Sequence, residues 1–218
     1  MGGITNEAVE NYIYGTLPAR DAVLQEMEEQ ARQRKIPIVG PAVARMFYLL
    51  ARSASAKTVF EMGSAIGYST IWWARAVGEA GRVIYTDGDP KNAAEARGYF
   101  ERAGVADRIQ LRTGDALEIL SEQPNEAFDI IFNDVDKEDY PRVFNLAVPR
   151  VKKGGLFVTD NVLWSGRVAY AAGNPGLKAD PEATTKSVVQ FNQMLMESKE
   201  LFTSIIPIRD GVSVSIKL

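Results

Sequence analysis

Short apolar runs alternate with amphipathic stretches along most of this chain. Thr58-Val-Phe-Glu-Met62, Arg82-Val-Ile-Tyr-Thr-Asp87, Phe128-Asp-Ile-Ile-Phe-Asn133 and Gly154-Gly-Leu-Phe-Val-Thr159 carry β-branched and aromatic residues, and Arg108-Ile-Gln-Leu-Arg112 alternates apolar with polar, which predicts five strands. Between them the period lengthens to that of helices over Tyr68–Val77, Pro90–Ala103, Leu117–Leu120 and Tyr140–Val151. Pro90 in a first turn and Gly104 just past an end mark one of these helices by its termini. Upstream, Val43, Met46, Phe47 and Leu50 recur at helical spacing and predict a helix over Pro41–Ala54. Residues 5–35 read as helical, an accessory region ending at the break Ile36-Pro37. Ser165–Asp180 has no period and reads as a long surface loop of the kind that serves as a lid or binding loop. Thr184–Ser198 is a helix carrying Val188, Phe191 and Leu195, and Leu201–Ile208 with Val212–Leu218 form an antiparallel hairpin about Asp210-Gly211. The predicted class is α/β: a mostly parallel seven-stranded sheet with an antiparallel C-terminal strand and helices on both faces.

Composition narrows the chemistry. A chain of 218 residues suits one domain spanning 1–218, with 1–37 as its accessory helices. A net charge of -3 argues against a broad basic face for nucleic acid. The absence of cysteine rules out disulfides and thiolate chemistry, and the absence of histidine removes the commonest general base and zinc ligand. A metal must therefore be held by oxygens, and a base must be Lys, Asp, Glu or Tyr. No secretory signal and no apolar run long enough for a membrane span are visible, so the expectation is a cytoplasmic protein with no membrane partner.

Thr58–Ser69 joins a strand to a helix through Gly63 and Gly67. Glycines there let a ligand approach the main chain, and the helix opening at Tyr68 and Ser69 aims free N–H groups at it. The spacing Glu61-x-Gly63-x-x-x-Gly67 lacks the middle glycine of a dinucleotide fingerprint, so NAD is disfavoured; an ordinary strand-to-helix turn is the competing reading. Asp87 ends the second strand, where an acid can accept from both ribose hydroxyls, with Asp89 a substitute or a helix cap. Asp115, after the third strand, is placed for the adenine. Glu61, Asp87, Asp115 and Asp134 thus stand at successive strand ends.

A second constellation joins Asn133-Asp-Val-Asp-Lys-Glu-Asp-Tyr140 to Thr159-Asp-Asn161. Asp134, Asp160 and Asn161 supply two carboxylates and an amide oxygen, a set suited to Mg²⁺ or another hard divalent cation, with Lys137 at its mouth. Asp136, Glu138 and Asp139 read as solvated acids.

Glu61-Met-Gly-x-x-x-Gly-Tyr-Ser69, Asp87, Gly114-Asp-Ala116, Asn133-Asp-Val-Asp-Lys137 and Asp160-Asn-Val-Leu-Trp-Ser-Gly-Arg167 resemble the cation-dependent O-methyltransferases, the caffeoyl-CoA and catechol O-methyltransferase group with its small bacterial members. The similarity runs from about Val39 to the C-terminus. It implies a Rossmann-like class I fold that binds S-adenosylmethionine (SAM) through Val39, Glu61, Gly63, Ser69, Asp87, Asp115, Ala116 and Asp134. It further implies a cation on Asp134, Asp160 and Asn161, Lys137 as the base, and a homodimer. The implied reaction methylates one hydroxyl of a vicinal aromatic diol, a small-molecule partner; Trp164 reads either as a wall for its ring or as a structural tryptophan. Met62 and Asn133 depart from the family's aliphatic residues, and Gly88 loosens the ribose-binding turn. Two rival readings use the same cofactor motif. Methylation of an RNA or a small amine is opposed by the acidic charge and the metal trio, and a non-catalytic SAM-binding module would have no use for Asp160-Asn161 beside Lys137.

Overall fold

Helix caps and strand registers fix the architecture locally. In a computed structural model of the chain, which describes residue 4 and residues 6–171 and 182–218, helix α1 covers Glu7–Thr16 and α2 Ala22–Arg34. The helical region expected here is two helices separated near Pro18, and α2 starts where Asp21 accepts from the N–H groups of Val23 and Leu24. The contacts group the chain into two compact units, one of Tyr12–Glu122 and one of Met1–Asn11 with Gln123–Leu218.

The first unit continues with α3 (Gly40–Ser53), β1 (Thr58–Met62), α4 (Tyr68–Val77), β2 (Arg82–Asp87), α5 (Pro90–Arg102), β3 (Ile109–Thr113) and α6 (Ala116–Ser121). Its strands run parallel in the order β3-β2-β1, with Glu61 opposite Tyr85 and Asp87 opposite Thr113. Val59, Phe60 and Met62 are buried, and Phe47 of α3 stacks on Trp73 of α4 with ring centroids 4.6 Å apart. Ion pairs fasten α2 to α4 and α5: Asp21 with Arg75 at 2.6 Å, Arg34 with Glu95 at 2.6 Å, and Glu26 with Arg102.

The turn between β1 and α4 is closely packed. Gly67 has φ 85°, and a β-carbon there would lie 2.4 Å from the ring of Phe100. Gly67→Ala combines left-handed strain with overpacking and is expected to cost about 2–4 kcal/mol. A thermal melt should show a midpoint roughly 5–15 °C lower; an unchanged midpoint would contradict the packing described.

The second unit carries β4 (Phe128–Asn133), α7 (Tyr140–Arg150), β5 (Val151–Thr159), α8 (Arg167–Ala171), α9 (Ala183–Glu197), β6 (Leu201–Ile206) and β7 (Val212–Lys217), with strand order β4-β5-β7-β6. β4 and β5 are parallel, while β7 is antiparallel to both β5 and β6. The seven strands and their flanking helices bear out the expected α/β class. Two differences from the expected boundaries exceed two residues. β5 begins at Val151 rather than Gly154, because Val151 pairs with Phe128 across an irregularity in β4 and draws the polar Lys152-Lys153 into the strand. The expected structureless loop from Ser165 is corrected over its first part, where Trp164–Gly166 is a 3-10 turn and Arg167–Ala171 a short helix; residues 172–181 lie outside the described residues. Among the described residues, no helix is long and apolar enough to cross a membrane.

Candidate functional site

In the first unit the glycine turn is held from β2. The carboxylate of Asp87 accepts from the backbone N–H of Ala65 at 2.9 Å, from that of Asp89 at 2.8 Å and from Asn92 Nδ2 at 3.1 Å. Tyr85, also on β2, donates its hydroxyl to the carbonyl of Ala65 at 2.6 Å. Both polar groups of Ala65, whose φ is 46°, are thereby fixed. A carboxylate has about four acceptor positions, so Asp87 keeps capacity for a further donor.

Glu61 is fully buried in β1, where its carboxylate accepts from the hydroxyl of Thr70 on α4 and its carbonyl accepts from Thr86 Oγ1 at 2.6 Å. Gly63 has φ 80°, Ser69 is buried in the first turn of α4, and Val39 is buried just ahead of α3. Asp115 caps α6 by accepting at Oδ1 from Leu117 N–H at 2.7 Å and Glu118 N–H at 3.0 Å, and Ala116 opens that helix. Asp89 likewise caps α5, the role weighed for it from the sequence.

In the second unit Asn133 and Thr159 are opposite one another on β4 and β5, so Asp134 and Asp160 leave adjacent strand ends. The backbone N–H of Asp160 donates to the carbonyl of Asn133 at 3.1 Å. Burial raises the pKa of both carboxyls; that of Asp160, raised further by the charge of Asp134, is pushed up to about 7. Lys137 Nζ donates to Asp134 Oδ1 at 3.0 Å and to the carbonyl of Val135 at 3.2 Å. Its ammonium lies 5.3 Å from the Tyr140 ring centroid and 5.7 Å from that of Trp164. Burial would lower the Lys137 pKa, but Tyr140 and Asp134 outweigh it and leave the pKa raised.

Asn161 follows Asp160 with φ 58°, and its Nδ2 donates to Asp210 Oδ2 at 3.4 Å. Asp136 and Glu138 are exposed, and Asp139 pairs with Arg142 at 2.7 Å, so none joins the constellation. Among the described residues no group of three or more Asp, Glu, His or Cys side chains is arranged for a metal; the trio read from the sequence has only two carboxylates.

Sequence reasoning gave no role to three participants, although Tyr140 ended the stretch read as the second constellation. Thr70 holds Glu61, Tyr140 packs its ring on Lys137 while donating its hydroxyl to the carbonyl of Asp160 at 2.8 Å, and Asp210 reaches Asn161. The first two are legible in hindsight as polar groups on inward helix faces. Asp210 gave no local signal beyond its Asp-Gly turn. The departure at Asn133 also has a structural counterpart. Its Nδ2, Thr159 Oγ1 and Ser213 Oγ are buried without a hydrogen-bond partner among the described residues, and the three residues are opposite one another across β4, β5 and β7.

Comparison with known proteins bears on this arrangement. The O-methyltransferase family model matches residues 17–218. A catechol O-methyltransferase of Niastella koreensis is 36% identical over 194 residues, covering 87% of this chain and 85% of its own length. Among solved structures, the O-methyltransferase from Bacillus cereus in complex with SAH has a TM-score of 0.84 at 28% identity, covering 97% of each chain. An O-methyltransferase from Streptomyces achromogenes involved in tomaymycin synthesis, solved with SAM, has a TM-score of 0.83 at 29% identity and covers 96% of each chain. With the expected fold present and nearly the whole chain matched, this protein belongs to the O-methyltransferase family.

Proposed function

We propose that the protein transfers the methyl group of SAM to one hydroxyl of a vicinal aromatic diol, a catechol or caffeoyl-type compound, in a reaction that depends on a divalent cation. The observation that carries this reading is the pair of carboxylates, half-buried Asp134 and buried Asp160, on adjacent strand ends beside the ammonium of Lys137. The catechol O-methyltransferase named among the relatives supports the acceptor class, and the SAH and SAM held by solved relatives support the donor.

Burial and the charge of Asp134 raise the pKa of the Asp160 carboxyl, an effect that a bound cation would offset. Asp134, Asp160 and the amide oxygen of Asn161 are hard donors that suit Mg²⁺. A cation held there would supply the charge that makes a diol hydroxyl more acidic.

Lys137 is the proposed proton acceptor. Its charged form is favoured by Asp134 and Tyr140 against burial, so neutralising the charge of Asp134 tips it toward the free amine. Trp164, half-buried and close to Lys137, offers a flat apolar wall for an aromatic ring. SAM brings its methyl group already activated on sulfur, so placement is the protein's main contribution there. Asp87, with acceptor capacity left over, suits the ribose hydroxyls, and the first N–H groups of α4 around Ser69 suit a carboxylate. Glu61, Gly63, Val39, Asp115 and Ala116 complete the proposed cofactor residues of the first unit. A homodimer acting in the cytoplasm belongs to the same reading.

Acceptor choice tests it. Offered methyl-labelled SAM with Mg²⁺, the enzyme is expected to label a catechol and to leave the matching monophenol and an aromatic amine unlabelled. Equal label in the monophenol would remove the need for chelation and contradict the proposal.

A further inference from the structure

Asp210 lies in the turn between β6 and β7, is buried, and directs its carboxylate at a distant stretch of chain. Oδ2 accepts from Asn161 Nδ2 at 3.4 Å, and Oδ1 accepts from the backbone N–H of Ser165. Backbone bonds tie the same two turns together: Leu163 N–H donates to the Asp210 carbonyl and Val162 N–H to that of Gly211, both at 3.0 Å. The packing is close enough that a β-carbon on Gly211, whose φ is 82°, would sit 2.4 Å from Leu163 Cγ. The side chain of Asn161 therefore leaves a clamped backbone with Asp210 on one side of its amide.

An ionised carboxylate only accepts hydrogen bonds, whereas an amide carries its donor and its acceptor on opposite arms. The amide of Asn161 can face Asp210 only with its nitrogen, which turns Oδ1 away. We propose that Asp210 is a positioning residue that sets the flip of Asn161, so that the amide oxygen rather than the nitrogen is presented to the cation. The inference rests on the proposed function, in which Asp134, Asp160 and Asn161 are the cation's ligands. Outer groups that orient metal-ligating side chains are typically worth on the order of ten- to a hundredfold in metal affinity.

The test is Mn²⁺ binding to the full chain, read from the EPR signal of free Mn²⁺ without substrate or SAM. In Asp210→Asn the new amide oxygen can still take the Ser165 N–H, but its nitrogen then meets the nitrogen of Asn161. To relieve that clash Asn161 must flip, turning its nitrogen toward the cation. The expected result is Mn²⁺ binding weaker by roughly ten- to a hundredfold. The double variant Asp210→Asn with Asn161→Asp exchanges the pair at constant net charge. The amide nitrogen now donates to a carboxylate whose other oxygen is free for the cation, and affinity should return to within about threefold of the parent.

Unchanged affinity in the single variant overturns the inference, as does a double variant that folds and stays weak, since that points to general loosening of the turn. If the single variant does not fold, the double variant decides alone by the same threshold. If the parent chain binds no Mn²⁺ at all, the cation reading fails first and the positioning role falls with it.

Discussion

Lys137→Ala is expected to lower turnover by roughly a hundred- to ten-thousandfold, the range typical of a lost general base. SAM affinity should stay within about twofold, since a base acting on the acceptor adds nothing to binding of the donor. Lys137 Nζ, 3.0 Å from Asp134 Oδ1 and packed against Tyr140 and Trp164, is held in place by an ion pair and two rings. Its pKa is raised in this environment, so it is a cation until Asp134 loses its charge to another partner. Lys137→Arg separates the two roles open to such a residue. A guanidinium keeps the positive charge but does not deprotonate, so this variant should be nearly as slow as the alanine one. Initial rates together with calorimetric titration of SAM decide the matter. Parent-like turnover in Lys137→Arg would show that charge, not proton transfer, is what the residue supplies, and lost SAM binding would contradict the assignment altogether.

Asp160→Asn should act in opposite directions on function and stability. The amide keeps the short bond that Asp160 Oδ1 accepts from the Asn161 N–H at 2.8 Å, so the local backbone has no cause to move. The charge is lost, and with it one of two carboxylates proposed to hold the cation; Mn²⁺ affinity should fall by at least about a hundredfold, with turnover following. Stability without a cation should rise. Burial and the charge of Asp134 push the Asp160 carboxyl up to about 7, so the folded chain keeps a proton that the unfolded chain releases near pH 4. Between those values the folded state binds more protons, and stability of the parent declines as pH rises through that window. A neutral side chain escapes this decline. Thermal melts in EDTA should therefore give Asp160→Asn the higher midpoint at pH 7.5, with the gap closing toward pH 5. A lower midpoint at pH 7.5 would mean that the two carboxylates do not oppose one another in the fold.

Much of this was legible in the sequence for identifiable physical reasons. The parallel strands carry short apolar runs or alternate apolar with polar residues, and Pro90, Gly104 and Asp89 mark the ends of α5 by rules that act within a turn. Lys137 and Asp134 are three residues apart, so their contact could be read from spacing. What escaped depends on long-range geometry. β5 extends back to Val151 through polar Lys152-Lys153 because β4 offers a pairing partner there, which no local period reveals. Asp115 was read for a ligand, yet its strongest present bonds are those of a helix cap, a role that Asp fills at many helix starts. Asp210 looked like half of an Asp-Gly turn because its partners, Asn161 and Ser165, lie 49 and 45 residues earlier.

Transfer of labelled methyl from SAM to a catechol, measured with Mg²⁺, after exhaustive chelation by EDTA, and after Mg²⁺ is restored, bears most directly on whether a cation on Asp134, Asp160 and Asn161 drives the reaction. Label should appear with Mg²⁺, vanish in EDTA and return on restoration; transfer that continues undiminished in EDTA would contradict it.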